Sequence, residues 1–202
     1  MRPMDIERRS MEIIESELTV ALAPEIAPIV KRVIHATADF SFAQSLFFSP
    51  GAAAFMRGLL CRGATVVTDT NMALAGINKP ALSRAGARAV CFMADGDVAA
   101  EAAARGVTRA QVSMERALAL PGPKLLVCGN APTFLFPLIE AGAQPDTAVI
   151  GVPVGFVNVV EAKERLVATG IPCIASMGRR GGSNVAAAIV NALLYGIDGV
   201  RA

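Results

Sequence analysis

Five short apolar runs constrain this chain more than anything else in it: ATVVTD, ARAVCFM, KLLVCG, TAVIGV and PCIAS, spread over residues 64–176. Each is rich in Val, Ile, Leu or Ala and lacks the alternation of a strand with one wet face. Strands that are apolar on both sides belong in a parallel sheet covered by helices. The segments between them read as helices: DVAAEAAARG with TRAQVSMERALAL, then APTFLFPLIEAG, then NVVEAKERLVATG, with SNVAAAIVNALLYG closing the chain. This repetition predicts an α/β fold, a three-layer α/β/α arrangement around a doubly wound parallel five-stranded sheet.

Ahead of the sheet the sequence predicts a helical N-terminal extension. MDIERRSMEIIESELTV has apolar residues at helical spacing, and residues 24–36 open with a proline suited to a first turn. SFAQ, residues 41–44, has capping-box spacing, so a helix is expected just after Asp39. GAAAFMRGLLCRG reads as another helix, ending at Gly63. No repeat, low-complexity tract or long linker divides the chain, and residues 1–202 are read as one domain.

Composition narrows the partners. Hydrophobic residues make up 53% of the chain, charged ones 18%, and mean hydropathy is +0.50. That surplus predicts a subunit interface as well as a core. Net charge is +2 with arginines scattered, and there is no Trp and one Tyr, so neither a basic stripe nor a base-stacking platform marks a nucleic-acid binder. Cys61, Cys91, Cys128 and Cys173 are widely spaced without a C-x-x-C pair, which favours reduced thiols over metal ligands or disulfides. The longest apolar tract, residues 148–160, is broken by Pro153 and too short to cross a bilayer. The N-terminus lacks an apolar signal region. No membrane partner is expected, and the protein reads as soluble and cytoplasmic.

Unusual residues cluster directly after the strands, where open α/β sheets form their ligand crevice. They include Asp69 and Met72, Asp95 and Asp97, Asn130 and Thr133, Gly155 and Phe156, and a loop of Gly178, Arg179, Arg180 and Gly181. Five such loops on one edge describe a wide site. The last loop leads into a helix, so its N–H groups suit a carboxylate held with Arg179 or Arg180; a flexible turn with two exposed arginines fits as well. It carries neither a P-loop lysine nor a dinucleotide fingerprint. Asn130 also suits a helix N-cap, Phe156 a core aromatic, and Asp95 and Asp97 helix caps. Arg109 opens a helix, against the dipole, where a bound anion would favour it; a plain surface arginine fits too.

The only histidine, His35 in VIHATADF, falls in the last turn of its helix, one turn after Arg32. The dipole favours imidazolium there, a cationic acid beside an arginine. A histidine merely bonded to free carbonyls fits the same position.

Taken in order, SMEIIESE, VKRVIHATADFSFA, VTDTNMALAGINK, VCFMADGDVA, GVTRAQVSME, VCGNAPTFLF, VIGVPVGFVNVVEAKE and GRRGGSNVAAAIVNALL resemble the precorrin-8X methylmutase family of cobalamin (corrin-ring) biosynthesis. The wording of IHATADF and DTNMALAGINK leans toward the branch that acts on cobalt-precorrin-8. The resemblance implies a flavodoxin-like fold, a homodimer with sites near the interface, and no cofactor. It implies an isomerase that moves a methyl group from C-11 to C-12 of the macrocycle, giving hydrogenobyrinate or cobyrinate. The family's catalytic histidine falls on His35, its substrate-contacting serine and arginine on Ser10 and Arg32, and a further site position on Arg109. The strand-end residues Asp69, Met72, Asn130, Thr133, Gly155, Phe156, Arg179 and Gly181 are then candidate contacts to a broad tetrapyrrole polycarboxylate. A non-catalytic corrinoid carrier and, less well supported, a nucleotide-binding enzyme are the rival readings.

Overall fold

The computed structural model describes residues 3–200. The chain opens with the helices α1 (Pro3–Glu17), α2 (Ala27–Thr37) and the single turn α3 (Phe42–Ser45), followed by the short strand β1 (Leu46–Phe48) and α4 (Ala52–Cys61). The alternating part runs β2 (Thr65–Thr68), α5 (Asn71–Gly76), α6 (Lys79–Arg84), β3 (Arg88–Val90), α7 (Gly96–Arg105), α8 (Arg109–Ala119) and β4 (Lys124–Cys128). A 3₁₀ turn (Pro132–Phe134), α9 (Phe136–Ala141), β5 (Thr147–Gly151), α10 (Val159–Ala168), β6 (Cys173–Ser176) and α11 (Ser183–Tyr195) complete it.

The sheet has six strands in the order β1-β6-β5-β4-β2-β3. The five predicted runs are β2 to β6, all parallel. The five-strand expectation is corrected by β1, which adds an antiparallel edge with Leu46 opposite Ser176 and Phe48 opposite Ile174. Three residues leave too short a pattern for strand periodicity to show, and the capping-like SFAQ just before them suggests a helix instead. That helix forms, but only as α3, and Ser41 makes no side-chain cap. Asp39 Oδ1 accepts from the Ser41 N–H at 2.9 Å, so an Asx-type turn replaces the capping box. Two helices the sequence did not announce, α5 and α6, fill the link from β2 to β3, capped by the side chains of Thr70 and Asn78.

Strand periodicity splits the core in two. Leu125, Val127, Ala148 and Ile150 point to one face, where α2, α4 and α11 bury Ile34, Met56, Leu59 and Ile189 against them. Leu126, Cys128 and Val149 point to the other, under Met114, Leu138 and Leu166 of α8, α9 and α10. Successive strand residues thus serve opposite helix layers, which is why β4 and β5 are buried at every position. On the outside of the first layer, α1 packs on α2 and forms the N-terminal extension. Among the described residues no helix is long and apolar enough to cross a membrane. All four cysteines are free; Cys128 and Cys173 are buried and Cys91 only partly so, because Cys91 lies one residue past the end of β3.

Candidate active site

The site builds from two places. The first is the end of α2. Ile29, Val30, Val33 and Ile34 anchor that helix in the core, which turns His35, the next residue, outward into an exposed position. Beyond it Ala38 takes a left-handed conformation, φ 54°, and its N–H closes on Ile34 O at 2.7 Å. A cavity of about 240 Å³ lies against this helix end, lined by Ser10 and Glu17 of α1 together with Ile34, His35 and Phe40. The Ser10 hydroxyl donates to Ile6 O at 2.9 Å, leaving its lone pairs to the cavity. Arg32, one turn before His35, donates to Glu7 Oε1 at 2.6 Å and lies 5.2 Å over the Tyr195 ring. It clamps α1 and α11 to α2 while its positive charge stays one turn from the imidazole. A larger hollow of about 340 Å³ lies by Glu25, Phe48 and the start of α4 and contains none of the expected site residues.

The second place is the carboxyl edge of the sheet. Between β2 and β4 the chain reverses its direction of travel across the sheet, the position where such sheets open a crevice. Here Asp69 ends β2 and is fully buried. Its carboxylate accepts from the N–H groups of Gly129 at 2.9 Å, Asn130 at 2.7 Å and Ala131 at 2.8 Å, and the Cys128 thiol lies 3.6 Å away. Burial pushes the Asp69 carboxyl above its ordinary range, against the pull of those amides. The expectation of Asp69 as a ligand contact is therefore corrected: its oxygens are spent inside the protein, organising the loop. Asn130 is corrected in the opposite direction. Ala131, not Asn130, precedes the 3₁₀ turn, and the exposed Asn130 contributes no cap. Asp95 stands before α7 without a side-chain cap, and Asp97 pairs with Arg116 at 2.8 Å.

The other expected residues line the open rim. Met72 is 73% and Phe156 81% exposed, values that rule out a core role for either. Arg179 lies over the Phe156 ring at 5.3 Å, and the Gly155 N–H donates to Arg179 O at 3.1 Å, so two strand-end loops are joined. Gly181 packs so closely that a Cβ there would sit 2.1 Å from Val152 O. Thr133 accepts from Thr108 Oγ1 at 3.0 Å, beside Arg109, whose guanidinium makes only a 3.5 Å contact to Met93 O. Arg180 ties this rim to the His35 region. It bridges both carboxylate oxygens of Asp39, at 3.1 and 2.9 Å, and contacts the Ser41 hydroxyl. Hydrogen bonding by the Ser41 hydroxyl, most strongly, then by the Ser41 N–H, together with the Arg180 charge, holds the Asp39 carboxyl below its ordinary range.

A histidine one turn from an arginine, with a rim that carries Arg179, Phe156 and Met72, is the arrangement the structure presents. Residues 5–196 match the family profile described as precorrin-8X methylmutase. The chain belongs to that family. It is 43% identical to the cobalt-precorrin-8 methylmutase of Salmonella typhimurium, over 96% of this chain and 95% of the relative. It is 40% identical to the precorrin-8X methylmutase of Pseudomonas aeruginosa, over 93% of each. The crystal structure of precorrin-8x methyl mutase from Thermus thermophilus superposes with a TM-score of 0.87 at 38% identity, covering 95% of both chains. The protein is thus a methylmutase, an isomerase of cobalamin biosynthesis.

Within this methylmutase, sequence reasoning missed four side chains. Glu7 pairs Arg32, Glu17 shares the His35 cavity, Asp39 receives Arg180, and Lys163 is buried below the glycine loop. Only Lys163 left a clear trace. It stands with Val159, Ala162 and Leu166 on the buried face of α10, a charge in an apolar stripe. Among the described residues no three His, Cys, Asp or Glu side chains gather as a metal site.

Proposed function

We propose that this methylmutase moves the C-11 methyl group of precorrin-8, or of its cobalt form, to C-12, with His35 as the proton donor. The observation that carries the reading is the shared cavity: the only histidine in the chain lines it together with Ser10, one helical turn from Arg32. The bond from the methyl carbon to C-11 breaks and one to C-12 forms, so atoms and electrons balance without hydride or outside nucleophile. Imidazolium lends a proton to the conjugated ring and recovers it, and a well-placed acid contributes roughly 10²–10⁴-fold. Arg32 keeps the ring's anionic edge close to His35, and Ser10 offers a hydroxyl to it. Arg109, Met72, Asn130, Thr133, Gly155, Phe156, Arg179 and Gly181 form the ring and carboxylate contacts. The order of the five parallel strands, 2-1-3-4-5 in their own chain order, supports a flavodoxin-like reading of one domain over residues 1–202. Exposed Met72, Phe156 and Val157 on the same edge support a homodimer that covers them, in a cytoplasmic protein.

The test mixes purified protein with metal-free precorrin-8 and with cobalt-precorrin-8 and follows the visible spectrum. Conversion to the product chromophore is expected, and the faster ring identifies the branch. An immediate spectral shift that then stays constant would establish a corrinoid carrier instead. Light scattering is expected to give twice the mass of one chain.

A further inference from the structure

Lys163 is a cation with no exposed surface, and among the described residues its ammonium bonds to carbonyls rather than to a carboxylate. Its Nζ donates to Gly178 O at 2.9 Å and to Arg180 O at 2.7 Å. Burying an ammonium is costly unless its donors are met, and here two carbonyls of a single loop meet two of the three. The Ser176 hydroxyl adds a second donor to Arg180 O at 2.8 Å, and the Gly155 N–H takes the carbonyl between, Arg179 O, at 3.1 Å. All three successive carbonyls are thus held by protein donors, those of Gly178 and Arg180 from the buried side.

The planar peptide gives this a consequence. Every peptide bond among the described residues is trans, so each N–H points opposite to the carbonyl before it. With the carbonyls of 178 and 180 held by buried Lys163, the N–H groups of Arg179 and Gly181 turn away from it, and the Arg180 N–H turns away from Gly155. Among the described residues none of these three N–H groups has a protein acceptor. They face the same rim as the Arg179 guanidinium and lead into the uncapped N-terminus of α11.

We propose that Lys163 is a positioning residue for substrate: it fixes residues 178–181 so that their amides receive a ring carboxylate. This rests on the reading that the loop contacts the macrocycle, and it places the residue that shapes the contact outside the contact itself. Lysine suits the task because it has three donors and no acceptor, so it can only pull carbonyls inward. Burial draws the Lys163 ammonium down to about 8, the mark of lost solvation that its two carbonyl partners do not fully offset.

The experiment titrates cobyrinate into wild type, Lys163→Met and Ser176→Ala by visible absorbance, and then measures kcat and KM with cobalt-precorrin-8. Loss of a charge-assisted bond predicts that Lys163→Met raises Kd and KM roughly 10- to 100-fold. Because His35 lies elsewhere, kcat stays within about threefold. Ser176→Ala removes one neutral donor and raises Kd about 2- to 10-fold. A folded Lys163→Met with unchanged Kd, or with lower kcat at unchanged KM, would make Lys163 a residue of the fold alone and overturn the proposal. If Lys163→Met does not fold, Ser176→Ala decides, and an unchanged Kd there overturns it equally. Should wild type bind cobyrinate yet convert nothing, the isomerase reading fails while the Kd comparison still judges Lys163.

Discussion

The loops at residues 129–131 and 178–181 follow β4 and β6, which flank β5, at one edge of the sheet, yet they are folded over buried charges of opposite sign. Asp69 draws three N–H groups of the first loop inward. Lys163 and Ser176 draw two carbonyls of the second inward, and the Gly155 N–H takes the carbonyl between them. The first loop is an anion cradle already filled by the protein's own carboxylate, at the very position where doubly wound sheets usually receive a phosphate. The second has its amides turned out, with Arg179 beside them. A buried side chain of one charge or the other is enough to decide which backbone dipoles a loop shows to a ligand. On the proposed contact, the same edge holds the protein's own carboxylate at one loop and leaves another open to a carboxylate of the ring.

The comparison breaks most easily at Asp69. Asp69→Ala strands three inward N–H groups, and unmet buried donors cost about 1–3 kcal/mol each. A loss of at least about 3 kcal/mol, or roughly 6–12 °C in Tm, is expected. Added acetate should recover part of that loss in the variant and do nothing for wild type, by filling the vacated cradle. A variant that melts with wild type would mean the amides have other partners and the two loops are not opposites.

Gly181→Ala tests the second loop from outside. The new Cβ would collide with Val152 O, and φ there is +156°. A cost of about 1–3 kcal/mol is expected, with weaker cobyrinate binding because the amides are displaced. Unchanged binding would show that the loop geometry does not matter to the ring.

A smaller effect follows from pH. Burial draws Lys163 from the ordinary 10.5 down to about 8 in the folded chain. Between those values the unfolded chain holds more protons, so this group's contribution to stability rises with pH across that window. Its neighbour Cys128 stays protonated, since burial and nearby Asp69 push that thiol up. Urea unfolding of wild type and Lys163→Met at pH 7 and pH 9.5 should therefore shift their difference toward wild type at the higher pH. A shift the other way would contradict a costly buried ammonium.

The smallest effect is expected at Asp39→Asn. It breaks a half-exposed ion pair with Arg180, worth about 0–1 kcal/mol. Tm should move by less than about 4 °C, while the link between the glycine loop and the His35 turn loosens. A larger fall would make that link a part of the fold.

How far the sequence was legible depends on where information is stored. The parallel strands were readable because burial on both faces leaves runs such as KLLVC without a polar residue beyond Lys124. The edge strand β1 was not, because three half-buried residues carry no periodicity. His35 was legible as the only imidazole in the last turn of a helix. Asp69 announced itself at the end of a strand, but whether it faced ligand or backbone depended on a loop 60 residues away. Glu7 and Glu17 were hidden for a similar reason: nothing in α1 states how it will lie on α2. Lys163 could have been found as the charge interrupting an apolar stripe, a signal that needs the helix face to be drawn before it is seen.

The most direct measurement separates binding from chemistry at His35. Single-turnover conversion of cobalt-precorrin-8 and equilibrium binding of cobyrinate would be measured on wild type and His35→Ala. The variant is expected to bind cobyrinate within about threefold of wild type, because many other contacts hold the ring, while conversion slows roughly 10²–10⁴-fold. Conversion at the wild-type rate would remove His35 from the reaction and with it the role assigned to the cavity it shares with Ser10.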